Sequence, residues 1–289
     1  MAKVYQVNTH HAIDATAITV GKYPDSIYLV QETYHTTSGK PGVRKRAHYY
    51  GKPESRAGIY TSSLQSCHFV PMHEFIDQDI TTGTLEGGSL NESLIVSSVY
   101  LDIMKPEILP KFKELVEYCI RKNLRLICGI DSNAHSTLWG SQYTNPRGED
   151  LEEFIFEFGL YVENIGRTPT WQARGSATII DITLSLNMGD SVRNWRVTDD
   201  ITFSDHNLIA FAVEQPVAGK VFTRNYSKAD WKTFSSFLEA KLGNPPDVWS
   251  KDTIEKSVLN LCNIIEQALD LSCPKHLCKK RETMPECKI

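Results

Sequence analysis

Eight side chains suited to phosphate or cation chemistry stand at the ends of apolar, β-like runs in this chain. Asn8 follows the run 4–7, Glu32 follows 27–31, and Tyr100 closes a central run. Asp131 and Asn133 follow 126–128, Asp181 lies within 178–184, and Asp205 and His206 precede 208–213. A carboxylate at the mouth of a buried strand carries a desolvation cost unless it is paired or metal-bound, so several converging carboxylates point to a shared cation. Oxygen ligands with few thiols or imidazoles favour Mg²⁺ or Mn²⁺ over zinc. Taken singly the pieces are ordinary. Asp131-Ser132-Asn133 also fits a turn, and Ser204-Asp205-His206 a loop or helix cap. Their order along the chain carries the information.

The elements that must position these groups can be read from periodicity. Short β-rich runs predict strands over residues 3–7, 26–31, 57–61, 93–101, 124–128, 177–186, 194–198 and 208–213. Helical spacing of Phe112, Leu115, Val116, Cys119 and Ile120 predicts a helix over 111–122, and Leu151, Phe154, Ile155 and Phe158 another over 149–158. Alternation of this kind belongs to a layered α/β domain. Residues 81–91, with Gly83 and Gly87 among polar side chains, read as a loop without the spacing of a phosphate-cradling motif. Beyond residue 215 the pattern changes to two helices. Ser227, three residues before Asp230, is a plausible start for the first, with Trp231, Phe234 and Leu238 on one face. Ile254, Val258, Leu261, Ile265 and Leu269 stripe the second. The division predicted is one domain over 1–215 and a helical appendage over 216–289.

Composition bounds the function without defining it. At 289 residues and 41% hydrophobic content the chain can bury a full core. No window of about 18 or more uncharged apolar residues is present to span a bilayer, so no membrane role is expected and an intracellular site is. Seven scattered cysteines, an odd number, fit a reducing compartment. Cys273, His276, Cys278 and Cys287 cluster near the end, but their spacing matches no zinc pattern. The net charge of −4 does not by itself point to nucleic acid, and it is uneven. Residues 216–289 carry 12 Lys/Arg against 9 Asp/Glu, leaving 19 against 26 for residues 1–215.

Read in order, Asn8, Gln31-Glu32, Tyr100, Asp131-Ser132-Asn133-Ala134-His135, Ile180-Asp181-Ile182 and Ser204-Asp205-His206 resemble the motifs of the endonuclease/exonuclease/phosphatase superfamily. The resemblance covers residues 1–213. Trp139-Gly140-Ser141, Asn145-Pro146-Arg147-Gly148 and Thr168-Pro169-Thr170-Trp171 narrow it to the endonuclease domain of non-LTR retrotransposon polyproteins, and Ala229-Asp230-Trp231 is similar to the stretch linking such a domain to its reverse transcriptase. Three departures stand out, the first being that Tyr100 is followed by Leu101-Asp102 and not by the Pro-Asn common elsewhere. Ile130 separates Gly129 from Asp131, and His10 occupies the place where apurinic-type relatives carry a metal-binding Asp.

The resemblance implies a two-sheet β-sandwich flanked by helices and a Mg²⁺- or Mn²⁺-dependent endonuclease. Such an enzyme nicks one strand of double-stranded DNA, leaving a 3′ hydroxyl for target-primed reverse transcription. Glu32 and Asp205 would hold the metal, with Asn8 as a third ligand. Asp131 would orient or deprotonate the attacking water, and Asn133 and Tyr100 would bond the scissile phosphate. His206, its tautomer fixed by Asp181, would present a positive donor. His135, Arg147 and Trp171 are candidates for DNA contact, whereas the other histidines, His10 and His11 included, read as ordinary. The implied partners are the target DNA, retroelement RNA and a reverse transcriptase domain of the parent polyprotein, with the nucleus as the place of action. Two rivals remain: a phosphatase of the same fold acting on an inositol or lipid phosphate, and a non-catalytic nucleic-acid-binding domain.

Overall fold

Strands buried on both faces read as unbroken apolar runs, and this is how the centre of the molecule is written. In the computed structural model, every residue of Ser26–Gln31 and of Leu94–Tyr100 is buried. The structure describes all residues except 1, 43–46, 66, 88–92, 106, 174, 215–221, 224–228, 244–250, 274, 275 and 278–289. The chain divides into two compact units, Met1–Pro216 and Val217–Ile289.

The strands of the first unit are β1 (Ala2–Asn8), β2 (Ser26–Gln31), β3 (Ala47–Tyr50), β4 (Ala57–Ser62), β5 (His68–Pro71), β6 (Ile80–Glu86) and β7 (Leu94–Tyr100). There follow β8 (Arg125–Asp131), β9 (Tyr161–Val162), β10 (Trp171–Ala173), β11 (Ser176–Thr178), β12 (Asp181–Leu186), β13 (Val192–Val197) and β14 (Ile209–Val213). Among the described residues they form two six-stranded mixed sheets, ordered β13-β14-β1-β2-β4-β3 and β5-β6-β7-β8-β12-β9, with β10-β11 as a separate hairpin. Val4, Ile27, Leu29, Ile59, Val96 and Ile127 fill one apolar cluster with residues of both sheets. Helices α1 (Ile13–Thr19), α2 (Pro110–Lys122) and α3 (Pro146–Glu157) complete the unit. Phe112, Leu115 and Val116 of α2 and Leu151 and Phe154 of α3 pack with Leu126, Cys128 and Ile130 of β8. The expected α/β sandwich with flanking helices is therefore what the chain forms.

Near the site, the space between the sheets turns polar, and its buried amides reach across to the facing strands. Gln6 Nε2 donates to the carbonyls of Ile130 and Ile182, 3.2 Å each, while Gln31 Nε2 donates to Ser98 Oγ and the Gly129 carbonyl, 3.0 Å each. Gly129 has to be glycine because a Cβ there would meet the Gln6 amide and Leu29 at 2.9 Å.

Two local expectations fail for physical reasons. Within residues 81–91 the stretch up to Glu86 is strand β6 and no loop, while Gly88 and its neighbours to residue 92 lie outside the described residues. Its threonines are buried with their hydroxyls satisfied: Thr81 donates to the Ala57 carbonyl at 2.8 Å, and Thr82 bonds Ser97 Oγ at 2.8 Å. The run 177–186 is two strands. Thr170 Oγ1 takes the backbone N–H of Ile180 and Asp181 at 3.1 and 3.0 Å, and this pulls the chain out of the sheet so that β12 starts at Asp181.

The second unit contains α4 (Trp231–Lys241), α5 (Lys251–Ser272) and a short pair, β15 (Phe222–Thr223) with β16 (His276–Leu277). Asp230 caps α4, its carboxylate accepting from the backbone of Lys232 and Thr233 at 3.1 Å. Ser227, proposed for that start, lies outside the described residues, as do Cys278 and Cys287 of the Cys/His cluster. On α5 the buried positions are Ile264, Ala268 and Ser272, whereas Ile254, Val258 and Leu261 of the expected stripe are exposed. An 11-residue α4 can cover only part of a 22-residue α5. Among the described residues no helix is long and apolar enough to cross a membrane.

Candidate active site

Strand register brings the distant motifs together. The parallel pairing of β1 with β2 sets Asn8 beside Gln31, so Glu32 emerges next to it. The parallel pairing of β7 with β8 sets Tyr100 beside Asp131, and the antiparallel pairing of β8 with β12 sets Asp131 opposite Asp181. Asn8 then ties the two sheets: its Nδ2 donates to Glu32 Oε2 at 3.0 Å and to Asp131 Oδ2 at 2.7 Å. The result is an open cleft of about 430 Å³, lined by Asn8, Glu32, Tyr100, Asp131, Asn133 and His206 together with His10, His135, Trp171 and Asp205.

The charges in this cleft are unequal. Burial alone would raise the Glu32 pKa, but hydrogen bonds from His11 and Asn8 outweigh it and hold the carboxyl at about 2. Glu32 is a fixed anion. Asp131 is 1% exposed, and its pKa is pushed well above the carboxylate range, first by burial and then by the charge of Asp181. His206 Nδ1 lies 2.8 Å from Asp181 Oδ2, and His206 is itself 4% exposed. Burial would lower its pKa, yet the Asp181 carboxylate more than offsets this and raises it to about 9. Such an imidazolium, committed through Nδ1 to Asp181, has its Nε2–H left for the cleft. Tyr100 packs under the Arg56 guanidinium, 4.8 Å from the ring centroid. Its phenol pKa is raised by burial and then by Glu32 and Asp131.

One group of side chains presents ligand atoms at metal-binding separations among the described residues. Asp131, Asp181 and His206 present atoms all within 4.8 Å of one another. Because the imidazole there is already engaged by Asp181, that trio is better suited to hydrogen bonding and proton transfer. Glu32 and Asp205 also line the cleft, each with a carboxylate oxygen within 4 Å of His10 Nδ1. A divalent cation fits the donor set: four carboxylates, of Glu32, Asp131, Asp181 and Asp205, stand against one buried imidazolium, and Asp181 Oδ1 is buried with no hydrogen-bond partner.

Several predicted residues prove to be held differently from what their types suggested. Asn8 is 1% exposed, and its Oδ1 accepts from the His10 backbone at 2.7 Å. It clamps Glu32 to Asp131 through Nδ2. Trp171 lines the cleft, but its indole N–H donates to Asp205 Oδ2 at 2.9 Å. Arg147 does not line it: Nε donates to the Ser132 carbonyl at 2.9 Å and Nη1 to the Lys105 carbonyl at 2.6 Å, buttressing the loop after Asp131. His135 does line the cleft, bonded through Nδ1 to Thr178 Oγ1 at 3.0 Å and stacked on Tyr143. Asn133, with φ 48°, donates to the Leu101 carbonyl at 3.0 Å, which leaves one amide N–H unused.

The histidines read as ordinary are the ones sequence reasoning missed. His10 lies 3.7 Å from Asp205 and 3.9 Å from Glu32, while His11 Nε2 lies 3.5 Å from Glu32 Oε1. The signal was present in His10 standing two residues after Asn8.

The two-sheet sandwich is the fold of solved structures of the endonuclease/exonuclease/phosphatase class. The AP endonuclease LMAP of Leishmania major matches with a TM-score of 0.55 at 12% identity, over 74% of this chain and 88% of that one. The catalytic domain of Xenopus laevis APE2 matches with a TM-score of 0.52 at 16% identity, over 76% and 94%. Within that class the chain resembles the endonuclease domain of non-LTR retrotransposons, as its motifs predicted. The endonuclease domain of TRAS1, a telomere-specific non-LTR retrotransposon, matches with a TM-score of 0.62 at 25% identity, over 75% of this chain and 100% of that domain. Residues 94–210 match the family described as endonuclease-reverse transcriptase. The putative 115 kDa protein of the type-1 retrotransposable element R1DM of Drosophila melanogaster is 27% identical over 169 residues, 52% of this chain and 16% of that protein.

Proposed function

We propose that this chain is a Mg²⁺-dependent DNA endonuclease that cuts one strand of double-stranded target DNA and leaves a 3′ hydroxyl for target-primed reverse transcription. The observation that carries the reading is the convergence of Glu32, Asp131, Asp205 and His206 in one cleft, although 174 positions separate the first from the last. Glu32 and Asp205 would hold the cation, for which Mn²⁺ is an alternative. When bound, it would polarise the scissile phosphate and neutralise the leaving 3′ oxygen. Asp131 takes the proton of the attacking water, a task suited to a carboxylate whose pKa lies well above the ordinary range. His206 donates its Nε2–H to the charge that develops on the non-bridging phosphate oxygens, and Asp181 fixes the ring. The free amide N–H of Asn133 and the phenol of Tyr100 position the phosphate, with His135 at the rim against the DNA. As the water oxygen bonds to phosphorus the bond to the 3′ oxygen breaks and that oxygen takes up a proton from solvent, so one product end is a 3′ hydroxyl and the other a 5′ phosphate.

Residues 216–289 are, on this reading, the connection toward a reverse transcriptase in a parent polyprotein that also engages the element's RNA in the nucleus. End chemistry tests the reaction. Nicks made by the purified chain should be extended by a DNA polymerase without phosphatase treatment. Ends that need prior removal of a 3′ phosphate would contradict the proposal.

Trp171→Phe keeps the aromatic wall but removes the N–H on Asp205. Loss of such a supporting bond typically costs about 10–100-fold in metal affinity or activity. The half-saturating Mg²⁺ concentration for nicking is therefore expected to rise by roughly that factor. A change in DNA affinity alone, with unchanged Mg²⁺ dependence, would show that Trp171 only touches DNA.

A further inference from the structure

His10 stands at the mouth of the cleft between two carboxylates. Its Nδ1 lies 3.9 Å from Glu32 Oε2 and 3.7 Å from Asp205 Oδ1, with the side chain 69% exposed. Neither contact is short enough to be a hydrogen bond, so Nδ1 does not donate to either carboxylate and can present its lone pair in the tautomer protonated at Nε2. The backbone that carries the ring is nevertheless fixed. The His10 backbone N–H donates to Asn8 Oδ1 at 2.7 Å and that of His11 to the Glu32 carbonyl at 2.7 Å. His10 and His11 adopt φ 47° and 51° in succession, a left-handed conformation that non-glycine residues take up at a cost. Strain of this kind persists where surrounding structure enforces it, and it gathers at functional sites.

Two readings of this placement differ in what they explain. An exposed histidine near carboxylates contributes little as an ion pair and gives no reason for a strained backbone. A metal ligand does. Two donors each about 2.1 Å from one cation sit roughly 3 Å apart when adjacent and about 4.2 Å when opposite, and both His10 separations fall inside that range.

Resting on the metal site proposed above, we infer that His10 Nδ1 is a ligand of the cation held by Glu32 and Asp205. The site is then a mixed nitrogen and oxygen site. Imidazole suits first-row transition ions, whereas Mg²⁺ is bound chiefly by oxygen, so this chain should favour Mn²⁺ over Mg²⁺ more strongly than an all-oxygen site does.

Electron paramagnetic resonance of Mn²⁺ added to the full chain without DNA tests this independently of activity. Loss of the free aqueous Mn²⁺ signal gives the affinity, and spin-echo modulation from nitrogen reports a bound imidazole. Wild type and His11→Gln should both show nitrogen modulation. His10→Ala should lose it and bind Mn²⁺ at least about 10-fold more weakly, the lower end of the range for disturbed metal-site partners. His10→Asp should recover affinity without the modulation and shift preference toward Mg²⁺. Nitrogen modulation that survives in His10→Ala or disappears in His11→Gln would overturn the assignment. So would unchanged Mn²⁺ affinity in a His10→Ala protein whose circular dichroism matches wild type. Glu32→Gln separates the two levels: Mn²⁺ binding unaffected by that change would sink the metal site itself, whereas its loss there with no effect of His10→Ala would remove only the role of His10.

Discussion

His206→Ala should lower kcat for strand nicking by about 10²–10³, or ~2.7–4 kcal/mol, the cost of removing one donor from a charge-stabilising site. The same change strands Asp181, which is 1% exposed and loses the partner of its Oδ2. Breaking a buried pair on one side costs about 3–5 kcal/mol, so the melting temperature should fall as well. The double variant Asp181→Asn/His206→Ala removes the stranded charge and should recover much of the lost stability with no recovery of nicking. Steady-state nicking assays and thermal melts of the three proteins together check this. Activity that returned with stability would mean that His206 serves folding and has no part in the reaction.

Asp131→Asn is expected to reduce nicking by about 10²–10⁴, the contribution of a positioned general base. Here stability should move in the opposite direction. Asp131 is buried beside Asp181, and both burial and that neighbour oppose its ionisation. A carboxyl whose pKa is higher in the folded state than in the unfolded state imposes no penalty while protonated in both. It destabilises progressively as pH rises from the ordinary carboxylate range toward the raised folded value. In metal-free protein the urea midpoint of Asp131→Asn should therefore exceed that of wild type by a margin that grows over that window. A margin independent of pH would show that Asp131 is not strained by its surroundings. The gain in stability with loss of activity is the trade expected of a charge kept for function.

What the sequence reveals about this site follows from where its residues lie on strands. Asn8, Glu32, Tyr100, Asp131 and Asp181 each sit at a strand end, and the parallel and antiparallel registers turn those ends into one cleft. The run 26–31 was legible to the residue because it is buried on both faces. β6 was not, since its buried threonines look polar until their hydroxyls meet Ala57 and Ser97. The parts of the site that escaped reading depend on partners remote in the chain. The indole of Trp171 finds Asp205, 34 positions away, and the guanidinium of Arg147 finds backbone carbonyls of two loops. His10 joins the cleft through a left-handed turn that no periodicity announces.

The most direct test of the central claim is the conversion of supercoiled plasmid to open circles by the purified chain at low ionic strength. With Mg²⁺ the open-circular form should accumulate before any linear product, because one active site cuts one strand per encounter. EDTA should abolish it, and Glu32→Ala and Asp131→Asn, which alter a cleft shared by both residues, should each reduce it by about 100-fold or more. Nicking that survives chelation and both substitutions would contradict the account, as would the absence of nicking alongside phosphate release from an inositol phosphate or phospholipid.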